Sequence, residues 1–278
     1  MILGRSIRLI SRKKLMPYAM NNLATKAPIT WCPGCPNSAI LVAFRQALSE
    51  LVETEKLRFE NIVIGAGIGC HGKITDYVNI NSFTSLHGRA IPAMTGIKCA
   101  NPKLTVIGFS GDGDSFAEGI GHLVHAARRN SDIKIFIHAN QVFALTTGQT
   151  TPLSPKGYRS KSTPFGSIEE PFTPLPMLLE AGATFLARTY AEDIASTKKV
   201  MVEAINHRGF SFVEIIQPCI TFFDTREYFK DRIYSIPENF PIQDKKASLE
   251  FLTAPNEKTP VGIFYNVEKP TFEEQLWS

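Results

Sequence analysis

The sequence predicts an α/β fold, a mostly parallel sheet flanked by helices, and three observations carry the prediction. Two apolar runs, 61–65 (Asn-Ile-Val-Ile-Gly) and 104–110 (Leu-Thr-Val-Ile-Gly-Phe-Ser), have the length and β-branched content of buried strands, and each leads into a glycine-rich turn. The second run continues into a helical pattern over 115–129 and a third apolar run, 133–139. Strand, helix and strand within about 40 residues read as a right-handed βαβ unit with parallel strands. The alternation then returns, with helical patterns at 175–181 and 191–207 and strand patterns at 185–188 and 211–216. A further helix is predicted over 38–51.

The chain has 278 residues, of which 44% are hydrophobic and 20% charged, enough to bury a sizeable core. A net charge of +4 suits an acidic protein partner but falls short of a nucleic-acid footprint. No run approaches the roughly 20 apolar residues of a membrane span, so a cytoplasmic protein is expected. Residues 1–29 read as an N-terminal extension, partly flexible, with Arg5, Arg8, Arg12, Lys13 and Lys14 ahead of the alternative starts Met16 and Met20. An α/β domain is expected over 30–221, and within it the Pro-, Ser-, Thr- and Lys-rich stretch 150–176 is too long for a plain connector and reads as a functional surface loop. The aromatic-rich remainder, 222–278, is expected to be a tail packed on the domain or on a partner.

Asp112 stands where the second strand ends and Asn140 where the third ends, 28 residues later. Parallel neighbours bring both ends to one edge, the edge at which open parallel sheets bind ligands. A carboxylate and an amide oxygen there suit a hard cation, and Mg²⁺ holding a diphosphate fits best, because it takes few protein oxygens alongside phosphates. The backbone carbonyl of Val142 is in reach of the same ion. Gly111 and Gly113 let the chain approach phosphates, and the helix predicted to begin near Ser115 points its N-terminal amides at the anion. By itself, an Asp between glycines is more often a turn.

Five cysteines, an odd number, argue against a disulfide framework. Cys32 and Cys35 form a close pair, and Cys70 and Cys219 each stand beside Gly or Pro. Four thiolates suit either zinc or an iron–sulfur cluster, and an isolated Cys-x-x-Cys alone favours zinc or a redox thiol. Cys99, between Lys98 and Ala100, reads as a small buried hydrophobe. His122, His125 and His138 suit helix surface and strand packing better than metal ligation.

Taken in order, Trp31-Cys32-Pro33-Gly34-Cys35, Gly67-Ile68-Gly69-Cys70, Leu86-His87-Gly88-Arg89, Gly111-Asp112-Gly113-Asp114, Leu145-Thr146-Thr147-Gly148-Gln149 and Pro218-Cys219-Ile220-Thr221-Phe222 resemble the β subunits of 2-oxoacid:ferredoxin oxidoreductases over about 30–269. The resemblance implies a thiamine-diphosphate-binding fold, with Mg²⁺ on Asp112, Asn140 and the Val142 carbonyl. Cofactor contacts are implied at Gly67, Ile68, Gly69, His87, Gly111, Gly113, Asp114, Leu145 and Thr146. Cys32, Cys35, Cys70 and Cys219 would hold a 4Fe–4S cluster, and Lys73, His87 and Arg89 are candidate catalytic groups near substrate or coenzyme A. The implied reaction is oxidative decarboxylation of a 2-oxoacid of the pyruvate or 2-oxoglutarate type to an acyl-CoA, electrons passing through the cluster to ferredoxin, in complex with an α or α/γ partner.

Three positions depart from the family pattern. Ala139 precedes Asn140 where an Asn-Asn pair is usual, Pro36 stands where Gly usually follows the second cysteine, and Thr147 stands where Gly or Lys is frequent. Pro36 removes a backbone donor near the cluster, which bears on its reduction potential. Two other readings accompany this one: a non-redox thiamine-diphosphate-dependent lyase or synthase with structural zinc, and a non-enzymatic zinc-stabilised binding protein.

Overall fold

The computed structural model describes residues 20–278; Arg5, Arg8, Arg12, Lys13, Lys14 and Met16 lie outside the described residues. The strands are β1 (Ile62–Ala66), β2 (Asn81–Thr84), β3 (Thr105–Gly111), β4 (Ile133–Ala139), the short β5 (Val142–Phe143) and β6 (Gln149–Thr150), β7 (Phe185–Tyr190), β8 (Ser211–Ile216), β9 (Ile233–Ser235) and β10 (Thr259–Asn266). The helices are α1 (Asn37–Glu53), α2 (Ile74–Tyr77), α3 (Ala90–Ala100), α4 (Ile120–Arg129), α5 (Pro174–Ala181), α6 (Ile194–Asn206), α7 (Arg226–Lys230), α8 (Lys245–Thr253) and α9 (Phe272–Trp277).

Among the described residues one eight-stranded sheet runs in the order β2-β1-β3-β4-β8-β7-β10-β9. Its pairs are parallel except β10 with β7. Successive residues of a strand face opposite sides. Ile107, Phe109, Phe136, Val213 and Ile215 pack with α1 and α6 on one face, while Val106, Ile135, Ile137 and Phe212 pack with α3, α4 and α5 on the other. Burial on both faces is why these strands read as unbroken apolar runs rather than alternating ones. Phe136 lies at the centre, its ring 5.5 Å from that of Phe109 and 6.4 Å from that of Phe44. Phe136→Ala should therefore cost about 3–5 kcal/mol of unfolding free energy, checked by urea denaturation; a loss below about 1 kcal/mol would contradict this account of the core.

The predicted strands 133–139 and 211–216 coincide with β4 and β8, and the helix 38–51 is the middle of α1. The helix predicted over 115–129 is two pieces instead, a π-helical turn over Gly113–Glu118 and then α4. Gly119 separates them, where the backbone of Gly88 approaches so closely that a Cβ would meet the Gly88 carbonyl oxygen at 2.8 Å. The segment 222–278 is more than a packed tail, since it contributes β9 and β10 to the main sheet. Pro260 and Gly262 interrupt the strand pattern of β10; Gly262 has φ +139 and Ile236 lies against it. The described part of the N-terminal extension packs on the domain, with Leu23 buried and the Thr25 N–H donating to the Tyr77 carbonyl at 3.3 Å. Among the described residues no helix is long and apolar enough to cross a membrane.

Candidate active site at the carboxyl edge of the sheet

β1 and β3 are neighbours, but the chain leaves β1 toward β2 on one side and reaches β3 on the other, a point at which the connections diverge and open a crevice. The carboxyl ends of β1, β3, β4 and β8 deliver Gly67 to Cys70, Asp112 to Asp114, Asn140 and Gln217 to Cys219 to the same edge. Two adjoining cavities lie there. The smaller, about 60 Å³, is lined by Ile68, Gly69, His87, Gly111, Asp112, Gly113, Asp114, Asn140, Val142, Leu145 and Thr146 among others. These are all the proposed cofactor contacts except Gly67.

Gly67 lies just behind that lining, with a reason for having no side chain: a Cβ there would stand 1.7 Å from Asp114 Oδ2. Asp114 is a clamp. Its Oδ1 accepts from the Ile68 N–H (3.2 Å) and the Gly88 N–H (2.7 Å), and its Oδ2 from the Ser110 hydroxyl (2.5 Å). One buried carboxylate thus ties the glycine loop after β1, the turn before α3 and the end of β3 together. His87 Nδ1 is 3.0 Å from Asp114 Oδ1 without hydrogen-bond geometry, and its ring meets Phe143 edge-on at 5.8 Å.

Asp112 is buried, and its carboxylate accepts the Thr151 hydroxyl from the first residue past β6. Burial pushes its carboxyl up to about 7, against the pull of the Thr151 hydroxyl and of backbone amides. No cation of the chain pairs with it among the described residues. Asn140 Oδ1 accepts the Val142 N–H at 3.1 Å, holding the turn in which Gln141 takes φ +64. The loop 150–176 enters the site through its first residues, where the Thr151 N–H donates to Ser154 Oγ at 2.9 Å. Its middle is outside, with Phe165 and Ile168 strongly exposed.

The larger cavity, about 220 Å³, is lined by Cys32, Cys35, Cys70 and Cys219 together with Trp31, Asn37, Lys73 and Gln217. It shares Cys70, Asn140, Ala144 and Leu145 with the smaller one. Gly34, at φ +80, turns the chain between Cys32 and Cys35, and the Trp31 indole N–H donates to the Cys70 carbonyl at 2.6 Å. Burial pushes the Cys35 thiol up to about 11 and raises that of Cys70, which Lys73 draws back. Lys73 donates to the Thr30 carbonyl at 3.1 Å and stands with the thiols rather than in the smaller cavity. Arg89 lines neither; its guanidinium donates to the Glu118 carbonyl at 2.6 Å. Cys99 is remote, on α3, with Glu273 as its neighbour.

Sequence reasoning passed over several residues here. His71 is wedged between Gly69 and Gly111, 3.8 Å from Asp114 Oδ2, and burial lowers its pKa to about 4 against the opposing pull of Asp114. Asn37 Oδ1 lies 2.7 Å from His138 Nδ1, and burial holds His138 well below the usual imidazole range. The position of His71 directly after Cys70 was the available signal for the first. Nothing local marks Thr151 or Asn37.

Residues 67–215 match the model of the thiamine pyrophosphate enzyme C-terminal TPP-binding domain, and residues 219–278 match that of the C-terminal region of the pyruvate ferredoxin oxidoreductase beta chain. The 2-oxoacid:ferredoxin oxidoreductase subunit β of Saccharolobus solfataricus is 39% identical over 262 residues, 88% of this chain and 85% of that protein. This chain belongs to the 2-oxoacid:ferredoxin oxidoreductase β-subunit family. Another member, a 2-oxoglutarate synthase subunit of Archaeoglobus fulgidus, is 36% identical over 249 residues, 90% of this chain and 89% of that one. A solved family structure, the 2-oxoglutarate:ferredoxin oxidoreductase of Magnetococcus marinus with 2-oxoglutarate, coenzyme A and succinyl-CoA bound, superposes with a TM-score of 0.89 at 32% identity, covering 96% of this chain and 90% of that one. The chain is accordingly an oxidoreductase β subunit with a thiamine-diphosphate-binding domain, a component of a complex with further subunits.

Proposed function

We propose that the smaller cavity holds the diphosphate of thiamine diphosphate with Mg²⁺, that the four thiols of the larger one hold a 4Fe–4S cluster, and that the complex oxidises a 2-oxoacid with coenzyme A and passes electrons to ferredoxin. The observation that carries this reading is the wall the two cavities share, Cys70, Asn140, Ala144 and Leu145; with both groups bound, a carbon-chemistry site would stand beside a one-electron site. When bound, thiamine diphosphate supplies a carbanion for attack on the 2-oxo carbon and an electron sink for decarboxylation.

The residues fit both groups. A buried carboxyl raised to about 7 for want of a positive neighbour is a site short of a cation, and Asp112, Asn140 and the Val142 carbonyl are the few oxygens Mg²⁺ takes when phosphates complete its shell. Among the described residues no three His, Cys, Asp or Glu side chains are placed to hold a single metal ion. Zinc needs four donors about 2.3 Å from one point, whereas a four-iron cluster carries each thiolate on its own iron, which suits four thiols spread around a cavity. Gly111 and Gly113 line the cavity with the His71 and Phe143 rings standing where a Cβ would be, the Asp114 clamp holds the glycine loop after β1 in place, and His87, partly exposed, lines the same cavity.

The thiols give the direct test. Replacing Cys32, Cys35, Cys70 or Cys219 by Ser in the enzyme purified without oxygen should remove most of the iron and acid-labile sulfide, while Cys99→Ser should leave both at the wild-type level. Visible absorbance near roughly 400 nm, expected of thiolate-ligated clusters, should be lost in parallel. Full iron in Cys219→Ser would break the ligand set, and a colourless wild-type protein containing zinc would return the lyase or synthase reading.

A further inference from the structure

We propose that the side-chain amide of Gln217 sets the reduction potential of the cluster by donating a hydrogen bond to the Cys35 sulfur, with the Thr221 hydroxyl adding a weaker contribution at Cys32. The inference rests on the cluster reading above. Pro36 follows Cys35 and has no N–H, so the chain cannot place a donor at the position directly after that cysteine. Other donors converge on the sulfurs. The backbone amide of Asn37 bonds to Cys35, Gln217 Nε2 lies 3.7 Å from Cys35 Sγ, and Thr221 Oγ1 lies 3.3 Å from Cys32 Sγ.

Gln217 is held for this role. It follows β8, is 2% exposed, and its backbone N–H donates to the Ala139 carbonyl at 3.1 Å. Its Nε2 also faces the Pro218 carbonyl at 3.2 Å. A thiolate and a carbonyl are both acceptors, so turning the amide over would set oxygen against both, and the nitrogen is fixed toward them. Adding an electron makes the cluster and its thiolates more negative, and a donated hydrogen bond stabilises that reduced state more than the oxidised one. The effect is largest where water is excluded. Gln217 is buried, whereas Thr221 and Cys32 are exposed, so water can replace the Thr221 donor but not the Gln217 one.

Potentiometric titration of the assembled enzyme, followed by the electron paramagnetic resonance of the reduced cluster, tests this. Gln217→Leu should assemble the cluster with normal iron and sulfide and shift its potential to a more negative value. Thr221→Val should produce a smaller shift than Gln217→Leu. An unchanged potential in Gln217→Leu at full iron content, or a larger shift in Thr221→Val, overturns the proposal. Absence of iron and sulfide from the wild-type enzyme overturns the cluster reading instead, so the two failures are distinct. Should Gln217→Leu lose its cluster, wild-type enzyme isotope-labelled at the glutamine side-chain nitrogen decides: a coupling to that nitrogen in pulsed resonance of the reduced cluster supports the proposal, and its absence overturns it.

Discussion

Asp112→Ala in the assembled enzyme should weaken thiamine-diphosphate binding in the presence of Mg²⁺ by about 100-fold or more, the scale of removing one partner from a buried charge pair, and turnover should fall with it. Calorimetric titration of the complex measures the loss, and unchanged affinity would end the metal assignment. The same carboxyl predicts the opposite sign for the unliganded chain. Its folded pKa, about 7, lies above the ordinary 3.8, so the folded state holds a proton that the unfolded state releases between those values. Stability from this group is therefore full below about pH 4 and declines as pH rises toward 7, at up to about 1.4 kcal/mol per unit. Asp112→Asn keeps the shape without the charge, so the unliganded variant should be more stable than wild type at pH 8 and nearly equal at pH 4. Urea unfolding at the two values tests this, and equal stabilities at pH 8 would show that the wild-type carboxylate has a counter-charge that the structure does not reveal.

The isolated chain, reconstituted with Mg²⁺, thiamine diphosphate and cluster, should give no measurable 2-oxoacid-dependent reduction of ferredoxin or a viologen dye, and adding its partner subunit should restore turnover. Among the described residues neither cavity is lined by a glutamate. The family resemblance implies a carboxylate against the aminopyrimidine ring, and Asp112 and Asp114 are both engaged, one accepting the Thr151 hydroxyl and one clamping three segments of the chain. Exposed Ile68, Leu145 and Phe222 line the cavities, and Leu86 stands exposed beside them at the Asp114-clamped turn, an apolar rim suited to burial against another subunit. Robust turnover by the chain alone would refute this half-site account and direct attention to its own Glu residues.

Much of the fold was legible because both faces of the sheet are covered. A strand buried on two sides carries its signal in composition, so Ile133–Ala139 and Ser211–Ile216 could be delimited from the sequence alone. β2 was not legible, since its Asn-Ser-Phe-Thr is largely exposed at an edge and carries no apolar run. The break at Gly119 was hidden for another reason. The pattern over 115–129 is helical on both sides of it, and only the approach of Gly88, a segment distant in sequence, interrupts it. β10 was concealed by Pro260 and Gly262, which a strand at this position accommodates because Ile236 and β9 pack against it.

The site divides along the same line. The sequence alone determined which residue types stand at the strand ends, because the glycines, Asp112, Asn140 and the cysteines each occupy a short motif whose chemistry is local. Tertiary structure alone decided what those residues do with one another. It made Asp114, in the lining of the smaller cavity, a clamp for three segments, placed Lys73 with the thiols and Arg89 on a helix carbonyl, and brought Thr151 onto Asp112 and Gln217 onto Cys35. The Asp114–Gly88, Arg89–Glu118, Asp112–Thr151, Lys73–Thr30 and Gln217–Cys35 pairings join residues from 26 to 182 positions apart along the chain. No local pattern encodes them, because each is set by the order of strands in the sheet, which carries distant loops to a common edge.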